Sequence, residues 1–419
     1  MKVGVVWGLV GIGCASLLAA AVFAPIDGRR TPTPRKPSPV SENTADQTPA
    51  EENSSPPAPA SAPPLIVKEP SATPGGMAWI PGGEFRMGSE ALSEENPDRI
   101  KPDELPAHDV ALDGYWMDAT EVTNRQFDEF VRMTNYVTFA EKEVTPEELA
   151  RSGIDPKFIK KKDIKPGSMC FNPAFSGKAM VLQQEKVPGW EYEVWKYVDG
   201  ANWRHPDGPE STIEDRMDHP VVHVSWEDAV AYCRWSGKEL PTEAQWEYAA
   251  RGGKANEKYP WGNVREPSKD YLCNYWQGSF PAERLNLDGF QGTAPSKSFP
   301  ANGYGLYDMS GNVWEWCADY FDDAYYAVSP KRNPQGPAQS HDSREPQIIK
   351  RVTRGGSFLC NTNSCTGYRC AARMAAEFNS GTFHTGFRAV VNAGRHADFD
   401  KAQTRIEEWR RSNATAAKE

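Results

Sequence analysis

Apolar residues recur along the chain at two spacings, one typical of helices and one typical of strands. Three helices are predicted, because an N-cap signal precedes apolar residues at helical spacing at Thr123, Ser225 and Thr242. Glycines at Gly237 and Gly252 predict the ends of the second and third helices. The residues that the first two helices offer to a core are Phe127, Phe130, Val131, Val230, Tyr232 and Cys233.

Short apolar or alternating runs, broken by Gly, Pro, Asn and Asp, make up most of the remaining sequence. Residues 79–86 and 110–117 are typical of short strands. Residues 395–419 are charged and predict a C-terminal helix packed on the domain, with Phe399, Ile406 and Trp409 at loosely helical spacing. The pattern therefore indicates a loop-rich α+β domain over residues 76–394, followed by a helical tail.

The N-terminal segment is apolar and is expected to direct export. Residues 3–24 form an uninterrupted stretch of apolar and small residues behind Lys2. This is typical of a secretory signal peptide, and it is also long enough to remain as a single membrane anchor. Cys14 stands in a weak lipoprotein-like context, so lipidation of this cysteine is a third alternative. All three alternatives predict that the rest of the chain is periplasmic, anchored to the cell envelope or secreted.

Residues 25–75 are rich in proline and poor in bulky apolar residues. Such a segment cannot bury enough apolar surface to offset the entropy lost on ordering, so it is interpreted as a disordered linker. The 57 acidic and 47 basic residues give the chain a formal charge of −10, which argues against a nucleic-acid-binding protein.

Three of the eight cysteines, Cys360, Cys365 and Cys370, fall within one short segment. Thiolates are soft ligands, and a two-thiolate site with an open position suits Cu(I) better than zinc, which prefers four ligands. A structural disulfide is common in an exported protein, and inert thiols are a third alternative. The spacing alone does not decide among the three. Ser357, taken alone, is interpreted as a turn residue because no paired base can be named.

Two glycine-rich segments hold Asn, Asp and Glu residues of the kind that bind calcium. One contains Asn274 and Asp288, and the other contains Asp308 and Glu315. Calcium takes six to eight oxygen ligands, including backbone carbonyls. Ordinary Asx turns and capping interactions are the alternative for each segment.

Several motifs resemble those of the formylglycine-generating enzyme (sulfatase-modifying factor) family, over nearly all of residues 76–391. The more general motifs are residues 80–88, 117–124, 240–247 and 307–316, and the more specific ones are residues 200–206, 218–226 and 357–373. The resemblance implies a loop-rich variant of the C-type-lectin-like fold with little regular secondary structure and with bound Ca²⁺.

The implied activity is that of an oxidase. It converts a cysteine in a Cys-x-Pro-x-Arg segment of a sulfatase to Cα-formylglycine, with O₂ as co-substrate. The resemblance makes Cys360 and Cys365 the Cu(I) ligands, and Ser357 matches a serine that lines the oxygen side of the pocket. Trp195 is the candidate for the groove that binds the substrate peptide.

Calcium ligands are also implied by the resemblance, residue by residue. The first ion would be held by the side chains of Asn274 and Asp288 with the carbonyls of Tyr275 and Phe290. The second would be held by the side chains of Asp308 and Glu315 with the carbonyls of Gly311 and Val313.

The chain departs from its family at several positions. Ser364 replaces a tyrosine that animal relatives usually carry before the second active-site cysteine. Cys233 and Cys370 each match one half of a family disulfide, but the partner positions hold Ala389 and Ala250. Their pairing stays open, as does that of Cys170, Cys273 and Cys317. A non-catalytic, secreted lectin-like interaction module and a maturation factor for another exported enzyme are the alternative functions.

Overall fold

The computed structural model describes residues 65–69, 73–90, 100–143, 145, 165–172, 194–266, 270–281, 283–362 and 364–416. The predicted N-terminal signal or anchor segment and most of the predicted linker lie outside these residues. Within the described ranges, no helix combines the length and apolarity that crossing a membrane requires.

The described residues form four α-helices, of which three begin at the predicted capping signals and the fourth lies in the C-terminal tail. They are α1 (Asn124–Thr134), α2 (Trp226–Ser236), α3 (Glu243–Arg251) and α4 (His396–Ala416). At the start of α1, the Thr123 hydroxyl accepts the Gln126 N–H and the Gln126 side chain accepts the Thr123 N–H. Gly237 and Gly252 adopt the left-handed conformation that ends α2 and α3.

The strands are shorter and more numerous than the sequence patterns predict. They are β1 (Met77–Ile80), β2 (Gly83–Met87), β3 (His108–Leu112), β4 (Tyr115–Asp118), β5 (Gly167–Phe171), β6 (Trp195–Asp199), β7 (Trp314–Tyr320), β8 (Lys350–Arg354), β9 (Arg373–Glu377), β10 (Thr385–Gly386) and β11 (Val390–Asn392). Each predicted run is divided into two strands. Pro81 has no backbone N–H to donate to a neighbouring strand, so the first run breaks there. Gly82 and Gly114, in the two breaks, both lie so close to the Ile66 carbonyl that a side chain at either position would clash with it.

The strands form small sheets that connect distant parts of the chain. In one sheet β4 lies between β1 and β11, and both pairs are antiparallel. A second sheet has the order β10-β7-β8-β9, and β2-β3 and β5-β6 form two further pairs. The expected loop-rich mixture of helices and strands is confirmed.

The core fixes the end of β8, which leads into the candidate site. Arg354, the last residue of β8, is fully buried, and its guanidinium donates to Glu243 (2.9 Å) and Glu247 (2.6 Å) of α3. A buried guanidinium needs paired acceptors of this kind, because an unpaired buried charge is costly. Farther along the chain, α4 buries Phe399 and Ile406.

Candidate active site

The candidate site begins in the loop that follows β8. Gly355 and Gly356 both have positive φ values, of 91° and 75°. A side chain at Gly356 would lie 2.6 Å from the carbonyl carbon of Gly367, so only glycine allows the two segments to pass this closely. The close approach brings residues 357–360 against residues 365–368.

Cys360 and Cys365 converge in this loop, and the structure joins them in a disulfide with a Cα–Cα distance of 5.0 Å. Cys360 is 1% exposed and Cys365 is 8% exposed. Asn361 supports the turn between them, because its side chain accepts the Ser364 N–H (3.1 Å) and donates to the Gly278 carbonyl (2.7 Å). The disulfide differs from the expected reduced pair, and in this form neither sulfur is a thiolate.

Ser357 lies directly against the first cysteine. Its backbone N–H lies 3.4 Å from the Cys360 sulfur, and its carbonyl accepts the Cys360 N–H (2.9 Å). Its hydroxyl accepts the Leu359 N–H (3.3 Å) and lies 3.3 Å from Nδ1 of His384. Ser357 is fully buried. The structure therefore brings together the three residues that the sequence assigned to catalysis.

Aromatic side chains and a third cysteine surround the pair. Trp314, Tyr275 and Tyr368 pack in one buried cluster with Cys360 and Cys365. Cys273 also belongs to this cluster, which sequence spacing could not indicate because Cys273 lies far from the pair in the chain. Burial raises the pKa of the Cys273 thiol well above its usual value, so this thiol stays protonated.

The other cysteines of the described residues, Cys170, Cys233, Cys317 and Cys370, are buried free thiols, as Cys273 is, and Cys14 lies outside those residues. Cys233 and Cys370 are therefore paired neither with each other nor with another cysteine. Burial raises the pKa of Cys170 and of Cys370 to about 12 in each case, which makes both thiols unreactive near neutral pH.

A surface cleft of about 230 Å³ lies beside the cysteine loop. It is lined by Asn361 and Thr362 on one side and by Tyr271, Leu287 and Glu266 on the other. Leu287 is 56% exposed, and the Glu266 carboxylate accepts from the Tyr275 hydroxyl. The cleft combines exposed apolar surface with a carboxylate next to the cysteine pair.

Trp195 does not line this cleft. It lies in β6, is 3% exposed, and its ring centroid is 5.4 Å from that of His384. The structure thus places Trp195 in a buried cluster beside His384, whereas the resemblance made it the candidate for a peptide-binding groove.

The first predicted calcium set, Asn274, Tyr275, Asp288 and Phe290, is brought together. The Asp288 carboxylate accepts from the backbone N–H groups of Tyr275 (3.2 Å) and Phe290 (3.1 Å) and from Gln277. The Tyr275 carbonyl accepts from the Gln277 side chain. Oδ1 of Asn274 is buried and has no hydrogen-bond partner among the described residues. This set therefore offers one oxygen of the kind that fits a cation.

The second predicted set, Asp308, Gly311, Val313 and Glu315, is only partly consistent with a cation site. Oδ1 of Asp308 is buried without a partner in the described part of the chain, and burial raises the pKa of Asp308 to about 6. In contrast, both oxygens of Glu315 accept from Arg388, at 2.7 Å each, and one of them also accepts from Trp246. Glu315 is thus occupied by an ion pair in this structure.

Glu121 is a further carboxylate in this region, and the sequence analysis did not identify it. One of its oxygens accepts from Asn312 (3.0 Å), and the other is buried with no partner among the residues described. Burial, and then the nearby Asp308, raise the pKa of Glu121 well above its usual value. Two buried carboxylates with free oxygens and raised pKa values indicate an excess of negative charge that a cation would neutralise.

Across the described residues, no group of three or more His, Cys, Asp and Glu side chains has the arrangement of a metal site. Any calcium site would therefore depend on backbone carbonyls and water, and the cysteine pair offers two sulfur ligands. Two ligands are too few for the closed tetrahedral site that structural zinc prefers, and soft sulfur ligands suit Cu(I).

The fold and this site define a known class of protein. Residues 62–393 match the family model of the sulfatase-modifying factor enzyme 1-like domain. The chain therefore belongs to the sulfatase-modifying factor family, and the resemblance noted in its sequence is confirmed.

The most similar relatives include both active and inactive members. A formylglycine-generating enzyme of Thermomonospora curvata is 44% identical, over 78% of this chain and 96% of its own. A formylglycine-generating enzyme of Mus musculus is 42% identical, over 75% of each chain. An inactive C-alpha-formylglycine-generating enzyme 2 of Mus musculus is 36% identical, over 76% of this chain and 86% of its own. The enzymatic activity expected from the sequence agrees with the names of the active relatives.

Proposed function

We propose that this chain oxidises a cysteine in a Cys-x-Pro-x-Arg segment of a sulfatase to Cα-formylglycine, with O₂ as oxidant and Cu(I) as cofactor. The observation that carries the proposal is the convergence of Cys360 and Cys365 against Ser357 in a buried pocket. Relatives of 40–44% identity that are named formylglycine-generating enzyme support the same reaction.

Reduction of the disulfide prepares the site. Two thiols would then remain at a Cα–Cα distance of 5.0 Å, and the Ser357 N–H would stabilise negative charge on the Cys360 sulfur. When bound to these sulfurs, Cu(I) would supply the redox chemistry by which O₂ oxidises the substrate carbon. The protein supplies the position of the ligands and a buried environment.

The overall reaction balances only with a reductant. One cysteine side chain and one O₂, with two electrons and two protons from an external thiol, give one aldehyde, one H₂S and one water. The substrate carbon loses two electrons in this process. The enzyme therefore needs a thiol reductant both to open the disulfide and to complete each turnover.

The substrate peptide would approach from the side of Cys365, the more exposed of the two cysteines. The cleft beside Asn361 and Thr362 has a volume of about 230 Å³, and its exposed leucine side chains suit a proline. Glu266 at the cleft places a carboxylate where it could pair with the arginine of the motif. We assign the cleft, rather than Trp195, to peptide binding.

Calcium would stabilise the fold rather than take part in the chemistry. The free oxygens of Asn274, Asp308 and Glu121 support binding of one or two ions. We also propose that the loops have a C-type-lectin-like arrangement. The N-terminal segment would direct export of the chain.

The test is a turnover assay. Full-length, reduced protein loaded with Cu(I) is incubated with a Cys-x-Pro-x-Arg peptide, O₂ and a thiol, and the peptide mass is followed. We expect the mass loss of thiol-to-aldehyde conversion with the wild type, and none with Cys360→Ser or Cys365→Ser. If all three proteins behave alike, the chain is instead a non-catalytic interaction module or matures a different enzyme.

A further inference from the structure

Three buried ring nitrogens close to Ser357 lack hydrogen-bond partners among the described residues. They are Nε1 of Trp195, Nδ1 of His223 and Nε2 of His384. The three side chains are at most 3% exposed. A buried polar atom without a partner is costly, so native proteins usually satisfy such atoms with protein groups or ordered water.

The three rings share one part of the core. The ring centroids of Trp195 and His384 are 5.4 Å apart, and burial, and then the nearby His223, lower the pKa of His384. The backbone N–H of His223 donates to the Thr382 carbonyl (2.9 Å), which places His223 beside the segment that carries His384. Most of the neighbouring side chains are apolar, including Phe358 and Phe383.

The donor and acceptor roles of the three nitrogens are complementary to those of one water molecule. The Trp195 nitrogen can only donate. Nε2 of His223 lies 2.8 Å from the Pro206 carbonyl, which can only accept, so Nε2 carries the proton and Nδ1 is an acceptor. A water would accept from Trp195 and donate to His223, leaving its second proton for Nε2 of His384.

A cleft of about 50 Å³ borders this part of the core, and its lining includes Pro206, Val222, Phe358 and Phe383. The last three are chain neighbours of His223, Ser357 and His384, whereas none of the three rings lines the cleft itself.

Occupation of this site would fix the direction of the Ser357 hydroxyl. Burial lowers the pKa of His384 to about 3, so its ring is neutral and carries one proton. If water donates to Nε2, the proton is on Nδ1, which then donates to the Ser357 oxygen. That oxygen also accepts from Leu359, so the hydroxyl proton must point away from His384. With the proton on Nε2, the hydroxyl would turn to His384 instead.

We propose that His384, Trp195 and His223 form a binding site for one water molecule, and that His384 is a positioning residue that fixes the direction of the Ser357 hydroxyl. The effect on catalysis rests on the proposed function, whereas the water and the tautomer of His384 do not.

The first test uses the full chain without any metal. In ¹⁵N-histidine-labelled protein, ring shifts should show His384 as the Nδ1–H tautomer, which is the less favoured form of free neutral histidine. A crystal structure should show an ordered water within about 3.2 Å of the three nitrogens. Trp195→Phe should move the tautomer toward Nε2–H. Trp276→Phe is the matched control, because its indole N–H donates to Glu283 (2.8 Å). An Nε2–H tautomer in the wild type, or no ordered molecule, overturns the proposal.

The second test uses the assay of the proposed function. His384→Phe should lower kcat about tenfold at unchanged KM and unchanged Cu(I) affinity, a typical effect of a residue that orients a group of the site. His384→Asn should recover most of the rate, because its amide can still donate to Ser357. An equal loss in both variants, or a loss in KM alone, contradicts the positioning role. If the wild type itself shows no turnover, the proposed function fails. The first test then still shows whether the water site and the Nδ1–H tautomer of His384 exist.

Discussion

The backbone N–H of Ser357 and the sulfur of Cys360 are 3.4 Å apart, so a thiolate formed at Cys360 would have a hydrogen-bond donor already in place. In the structure this sulfur is instead bonded to that of Cys365. The redox state of the pair should therefore control whether metal can bind.

We predict that copper binding requires reduction of the Cys360–Cys365 disulfide. The reduced protein should take about one equivalent of Cu(I) from a coloured chelator, because two soft thiolates are then available, and the oxidised protein should take none. Cys360→Ser should lose this binding and Cys370→Ala, a buried free thiol elsewhere, should retain it. Equal copper uptake by the oxidised and reduced proteins would contradict the assignment.

Calcium should stabilise the protein through Asp308 and Glu121. An ion that binds only the folded state adds about 2.7 kcal/mol at 100 times its Kd, so chelation should lower the Tm. Glu121→Gln should raise the stability measured in chelator, because it removes one of two repelling buried carboxylates, and should reduce the gain from calcium. Unchanged unfolding curves on chelation would exclude both ions.

Glu315 gives a separate test, because its carboxylate is held by Arg388 in the structure. Breaking a buried ion pair typically costs about 3–5 kcal/mol, since the remaining charge is left unpaired. Glu315→Gln should therefore lower the free energy of unfolding in chelator as well as in calcium. A loss seen only with calcium would show that Glu315 is a ligand and that its pairing with Arg388 is replaced when the ion binds.

The stability of the protein should decrease as the pH rises from about 4 to about 7, in part through Asp319. Burial, and then the nearby Glu243, raise the pKa of Asp319 from its usual 3.8 to about 7. The folded state thus holds a proton that the unfolded state releases more easily, and this contribution is lost as the pH rises through the folded pKa. Asp319→Asn should flatten the dependence in urea titrations at several pH values. Asp215→Asn, at an exposed side chain, is the control and should leave the slope unchanged.

Glu266 should contribute to the recognition of arginine in the substrate. Glu266→Gln should raise the KM for a Cys-x-Pro-x-Arg peptide severalfold, with little effect on kcat, because the carboxylate lines the cleft and is not a proposed ligand of the metal. A peptide with glutamine in place of arginine should not distinguish the variant from the wild type. Glu84→Gln, which alters an exposed carboxylate paired with Lys331, is the control.

Local signals in the sequence predicted the helices. The features that the sequence did not predict depend on long-range contacts. Thr123 and Gln126 are three residues apart, so their reciprocal capping bonds could be expected from the sequence. The division of residues 79–86 into β1 and β2 depends on the contact between Gly82 and Ile66, which no periodicity indicates. The contacts around the cysteines likewise join residues that are far apart in the chain, so no periodicity indicates them.

In the site, the motif around Cys360 and Cys365 identified the pair, but not its surroundings. His384 touches Ser357 across 27 residues of sequence, and Glu315 binds Arg388 across 73 residues. Glu121 and Cys273 likewise reach their neighbours only through the fold. Trp195 was the candidate for a peptide-binding groove, and its position in β6 buries it.

The position of β4 has a consequence for how the protein must be made. Its two edges pair with β1, at the start of the domain, and with β11, near its end. A chain that stops before β11 would leave one edge of β4 unpaired, and one that stops before Arg388 would also bury Glu315 without its cation. The domain can therefore close only after nearly all of it has been synthesised, and shortened versions should aggregate rather than fold as smaller units.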